Sequence, residues 1–98
     1  MMRRGRLEIY YSLLKRIRSG PVILTHLMAD ARLNQGACKG SLEYLIEKGW
    51  VQRNPPFRMP KGKSIRKPYY TLTDQGRRVL SALELVYLEF NLSLEVLP

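Results

Sequence analysis

Residues 45–76 read LIEKGWVQRNPPFRMPKGKSIRKPYYTLTDQG. Gly49 is a natural left-handed stop for the helix that ends at Lys48. Trp50 to Arg53 then suits a strand, and Tyr69 to Leu72 suits a second one. Thr73 and Asp74 supply an N-cap hydroxyl and a first-turn carboxylate for a further helix. Gln75 and Gly76 depart from the capping box, which wants Glu or Gln where Gly76 stands. Between the strands runs an arm, Arg53–Lys67, with six basic residues, three prolines and no acid. The expected order is helix, hairpin with a long cationic connection, helix; the turn type is not readable.

Upstream, residues 6–19 form a predicted amphipathic helix. Leu7, Tyr10, Leu14 and Ile17 make one apolar stripe, widened by Tyr11 and Leu13. Gly20-Pro21 ends it. Val22-Ile23-Leu24 suits either one small strand or an extended link. Thr25 is placed to cap a short helix running to about Arg32, with Leu27, Met28 and Ala31 as its apolar side. Leu33-Asn34 makes a turn, and Asn34 caps a third helix reaching Lys48. Cys38, Leu42, Leu45 and Ile46 are its inward positions.

Downstream of Thr73 the helix is apolar nearly all round. Leu80, Leu83, Tyr87, Phe90, Leu94 and Leu97 recur at alternating three- and four-residue steps, the seam of a coiled coil. Leu85, Val86, Leu88 and Leu92 add a second apolar face. One face can cover the domain's own core, and the other needs a second chain. A lipid-facing helix is the weaker alternative, because residues 79–98 contain no Lys or Arg for its polar face.

The chain has 98 residues, enough for one small domain with a modest core. No apolar run reaches the roughly 18 residues needed to cross a bilayer. The N-terminus leads into an amphipathic segment and not into the apolar region of a signal peptide. One cysteine excludes an internal disulfide, and one histidine beside it leaves too few ligands for zinc. A cytoplasmic protein without cofactor or metal is the expectation. Charge is segregated: residues 1–78 hold all 17 Lys and Arg against five acids, a net of +12, whereas residues 79–98 hold three acids and no base. A polyanion-binding surface therefore belongs to the first 78 residues, and the tail has another task.

Two closely joined helices followed by a basic hairpin follow the logic of the winged helix-turn-helix. The sequence resembles the small archaeal winged-helix regulators and chromatin-associated proteins that dimerise through a long C-terminal helix. The resemblance is carried by Arg6–Tyr11, Thr25–Met28, Leu42–Gly49 and Tyr70–Gly76. It implies an α+β, mostly helical fold: three helices, a two- or three-stranded β-wing and a C-terminal dimerisation helix. Residues 1–73 would be the DNA-binding domain, with its wing hairpin at 50–73, and residues 74–98 the dimerisation helix.

The expected partner is double-stranded DNA, bound by a homodimeric transcriptional regulator. Helix 35–48 would enter the major groove, and wing 53–67 would lie on the phosphates or in the minor groove. Candidate DNA contacts are Thr25, His26, Gln35, Lys39, Ser41, Arg53, Arg58, Lys61, Lys63, Arg66 and Lys67. Candidate dimerisation residues are Leu80, Leu83, Tyr87, Phe90, Leu94 and Leu97. The third helix begins Gln35-Gly36-Ala37-Cys38-Lys39-Gly40, where such proteins usually offer bulky polar or basic groups. Binding weighted towards phosphates and shape is therefore expected.

Blander readings stand beside these. The arm could be a solvated loop, His26 a surface or capping residue, and Arg3, Arg4 and Arg6 a basic tail. Cys38 reads as a small core residue. Trp50 should pack under the hairpin, and the Tyr69-Tyr70 pair should put one ring inward and one outward. No catalytic constellation is present in the sequence, so an enzyme is not expected. The rival classes are a protein–protein adaptor whose tail binds another subunit, and an RNA-binding module.

Overall fold

The computed structural model describes residues 5–56 and 65–96, with side chains described as far as residue 89. Its elements run α1 (Arg6–Arg18), β1 (Val22–Ile23), α2 (Leu24–Ala31), α3 (Gln35–Glu47), β2 (Val51–Asn54), β3 (Tyr69–Leu72) and α4 (Asp74–Val96). The sheet has the order β1-β3-β2 and is antiparallel throughout. Val22-Ile23-Leu24, open in sequence between strand and link, contributes a strand: Val22 pairs with Tyr70 and Ile23 with Tyr69. Val51 to Asn54 pairs with Leu72 to Tyr69 on the other side. This is the winged-helix arrangement expected from the sequence.

Strand pairing also corrects one cap. The second helix begins at Leu24, not after Thr25, and Ile23 holds its N-cap position with no side-chain hydrogen bond. Pairing with β3 keeps Ile23 extended (φ −91°, ψ 162°), so the helix starts where the strand stops. Asn34 does cap α3, its Oδ1 accepting the Ala37 N–H at 2.7 Å. At the far end Gly49 has φ +80°. Its N–H donates to Ile46 O (2.9 Å), and the Trp50 N–H donates to Leu45 O (3.0 Å). That bond pair closes a helix on a left-handed residue.

The core gathers Leu13, Leu14 and Ile17 from α1, Leu27 and Ala31 from α2, and Cys38, Leu42 and Leu45 from α3. Val22, Val51, Tyr70 and Leu72 of the sheet complete it together with Leu80 of α4. Tyr70 is inward while Tyr69 is half-buried, as alternation requires. Leu7, placed on the inward stripe by sequence, is 53% exposed. It sits in the first turn of α1, on the rim of a small apolar concavity with Tyr10, Tyr44, Trp50, Val79 and Leu83. Trp50 thus packs on the helical side, edge-on to Tyr44 (centroids 6.4 Å, 78°), and Tyr44 stacks on Tyr10 at 4.7 Å.

α4 changes role along its length. Leu80 is fully buried, and Val79 and Leu83 pack against the core. Tyr87 stacks on Tyr11 of α1 (4.4 Å, 17°), and Arg18 of α1 pairs with Glu84. Leu80, Leu83 and Tyr87, assigned by sequence to a seam with a second chain, are used within this chain. The outward residues are those of the second face: Leu85 is 64% exposed, Val86 59% and Leu88 57%. Phe90 and Leu94 lie in the helix but outside the described side chains, and Leu97 lies outside the described residues.

Candidate nucleic-acid interface

Two helices and the base of a hairpin position the candidate residues. α2 and α3 are joined through Arg32, Leu33 and Asn34. Arg32 is left-handed (φ 55°, ψ 47°), the one non-glycine residue with positive φ among the described residues. A branched-at-Cβ-free arginine still costs on the order of 1 kcal/mol there. The turn is held by the Leu33 N–H donating to Met28 O (2.9 Å). Sequence reasoning missed Arg32 because a left-handed position is normally signalled by Gly or Asn.

On α3 the inward face is fixed by Cys38, Leu42 and Leu45, so the opposite side must face out. Gly36, Gly40 and Glu47 are exposed there, Gln35, Lys39 and Glu43 are exposed along the flank beside it, and Ser41 is half-buried. A β-carbon on Gly40 would meet nothing within 4 Å, and one on Gly36 would meet only Asn34 Oδ1 at 3.6 Å. Neither glycine is demanded by packing inside the chain. Burial pushes the Cys38 thiol above its ordinary range, which favours the inert protonated form.

The hairpin base gathers three of the candidates. A concavity of about 410 Å³ is bordered by His26 from α2, by Arg66 and Lys67 from the returning side of the wing, and by Tyr69, over an apolar floor that includes Val22 and Ile65. His26 lies one helical residue after Thr25, which is also exposed. Arg53 is exposed on β2. Asn54 clasps the two wing strands: its Nδ2 donates to Thr71 Oγ1 (2.9 Å) and to the carbonyls of Gln52 (3.2 Å) and Tyr69 (3.4 Å). The sequence signal for Asn54 was its place at a strand end before Pro55-Pro56. Arg58, Lys61 and Lys63 lie outside the described residues. Thr25, His26, Gln35, Lys39, Arg53, Arg66 and Lys67 all project into solvent, so each is free to meet an external anion.

Among the described residues no three His, Cys, Asp or Glu side chains come together to hold a metal ion. No helix of the described residues is long and apolar enough to cross a membrane.

A family model described as winged helix-turn-helix matches residues 3–89. No curated protein matches the chain. Among solved structures, the chain is similar to the transcriptional regulator BldR from Sulfolobus solfataricus, with 27% identity and a TM-score of 0.71; the match covers 91% of this chain and 61% of that one. It thus spans about three-fifths of that relative's length. A cysteine-to-serine mutant of MarR from E. coli, complexed with operator DNA, is 25% identical over 91% of this chain and 74% of that one, with a TM-score of 0.60. A protein from Streptococcus mutans shares the fold with a TM-score of 0.77 at 17% identity, over 93% of this chain and 86% of that one.

Proposed function

The chain belongs to the winged helix-turn-helix family, and we propose that it is a homodimeric, double-stranded DNA-binding transcriptional regulator acting in the cytoplasm. One observation carries this reading: a capped α3 turns polar side chains outward while the wing base presents Arg66 and Lys67 beside His26, with Arg53 exposed on β2. α3 enters the major groove, and the wing follows the phosphates or the minor groove. That a similar structure, the E. coli MarR mutant, is complexed with operator DNA supports DNA as the partner. Recruitment of DNA here leans on charge, since residues 1–78 carry a net +12. Residues 1–73 with the first turns of α4 form the binding body, and the outward face of α4, Leu85, Val86 and Leu88, pairs two chains.

Duplex binding at graded salt tests this. A dimer neutralising about six to ten phosphates loses on the order of a thousandfold or more between low and moderate salt. Changing Arg58, Lys61, Lys63 and Arg66 together to alanine should weaken binding and flatten the slope. Unaltered binding in that variant removes the wing from the interface. The exposed apolar face of α4 would also suit a different subunit. A stable monomer without duplex affinity at low salt would favour such an adaptor, and competition between duplex DNA and duplex RNA of equal length would identify an RNA binder.

A further inference from the structure

Gln35, Lys39 and Glu43 stand four residues apart along the exposed side of α3. Residues at that spacing form one nearly straight ridge on a helix. Among the described residues, none of the three side chains has a hydrogen-bond or ion-pair partner within the chain. Lys39 precedes Glu43, the less favourable order for an i,i+4 pair, and the two do not bond. A lone carboxylate on a face opposed to phosphates is repelled, unless a base edge receives it. The one major-groove base edge that offers donors alone is the cytosine N4 amino group.

We propose that these three side chains are the base readers of α3 and that Glu43 is the specificity-determining acceptor for one cytosine. The proposal rests on the DNA-binding reading. Each chemistry selects a base: Gln35 pairs bidentately with adenine N6 and N7, Lys39 with guanine O6 and N7, and Glu43 with cytosine N4. The helix rise separates successive members by about 6 Å. Base pairs stack at about 3.4 Å, so the three read positions fall a little under two base pairs apart. Glu43 lies about 12 Å along the axis from Gln35, a span that matches the roughly 12 Å width of the major groove. Glu47, one turn further at about 18 Å, falls past the groove and reads nothing. Ser41 is half-buried beside Leu42 and is left to backbone contacts.

Selection from a random duplex pool, run in parallel on the wild type, Glu43→Ala and Glu47→Ala, tests the assignment. The wild type should enrich three positions spaced by about two base pairs, with cytosine at one end. Glu43→Ala should lose the cytosine preference alone, an effect of about five- to a hundredfold at that pair, and Glu47→Ala should retain the full pattern. A pattern unchanged by Glu43→Ala, or one changed by Glu47→Ala, overturns the role of Glu43. Failure of the wild type to bind any duplex at low salt overturns the DNA-binding reading itself. Circular dichroism confirms that each variant is folded, which their exposure predicts.

Discussion

A β-carbon on Gly76 would lie 2.0 Å from the carbonyl oxygen of Trp50 and 2.9 Å from its carbonyl carbon. The first turn of α4 is therefore pressed directly onto the backbone that leaves α3. Thr73 makes the joint. Its N–H donates to Trp50 O (3.1 Å), its hydroxyl donates to Gly49 O (2.6 Å), and the same oxygen accepts the Gly76 N–H (2.9 Å). The departure from the capping box at Gly76 has its cause here: a Glu or Gln side chain would have to pass through the Trp50 carbonyl. α3 and the long C-terminal helix α4 are thereby locked in one geometry.

Gly76→Ala should consequently be among the most damaging small substitutions in the chain. The obstacle is backbone, which cannot rotate away as a side chain would. A loss of about 3 kcal/mol is expected from such overpacking, read by urea unfolding. A change below about 0.5 kcal/mol, the range of ordinary surface substitutions, would mean that the junction is looser than described. Thr73→Ala should cost about 1 kcal/mol through the lost cap.

Gly36→Ala and Gly40→Ala should act in the opposite direction on stability. Both positions are exposed in α3, with open space at the β-carbon of Gly40 and only an ordinary contact with Asn34 Oδ1 (3.6 Å) at that of Gly36. Glycine inside a helix costs about 1 kcal/mol relative to alanine, so each change should add up to that amount. A gain of 1 kcal/mol corresponds to roughly 4–8 °C in Tm for a domain of this size. If the glycines serve to let the α3 backbone approach a duplex, the same variants should bind DNA more weakly while being more stable. Greater stability with unchanged affinity would show that close approach is not their role.

The sequence disclosed the elements more fully than it disclosed their contacts. Asn34, Gly49 and Thr73 act locally, so their chemistry marked three helix ends directly. Thr25 misled because the pairing of Ile23 with Tyr69, 46 residues away in sequence, decides where α2 begins. The apolar seam of α4 was visible, but which face turns inward depends on Tyr11 and Arg18 of α1, and periodicity alone does not encode that. Arg32 carries no sequence mark of its left-handed conformation. On the candidate interface, the basic residues were legible from charge, while the convergence of Arg66 and Lys67 around His26 required the β1–β3 pairing.

The two faces of α4 make separable predictions for assembly. Leu85→Glu with Leu88→Glu places charge on exposed positions, so the chain should stay folded and lose its partner. Leu80→Glu buries an unpaired carboxylate in the core and should unfold the chain instead. Light scattering with circular dichroism distinguishes the two results. A wild type at twice the chain mass and a folded, monomeric Leu85/Leu88 variant are expected. A double variant that remains dimeric would move the interface off this face.

Cys38 predicts an alkaline weakness. Its thiol is fully buried and its pKa is raised by desolvation. In the unfolded chain the thiol ionises near its ordinary value of about 8.5, while in the fold it remains protonated to higher pH. The unfolded state therefore releases the proton first, so stability is intact below about pH 8.5 and declines as pH rises through the window up to the folded value. Tyr87 is raised as well, first by desolvation and then by Glu8 and Tyr11, and it adds a second decline beginning nearer pH 10. Cys38→Ala should remove the earlier decline and keep the later one. Urea unfolding between pH 7.5 and 10.5, about the span of these two ordinary values, measures both. Identical pH profiles for the variant and the wild type would show that the thiol is not the group responsible.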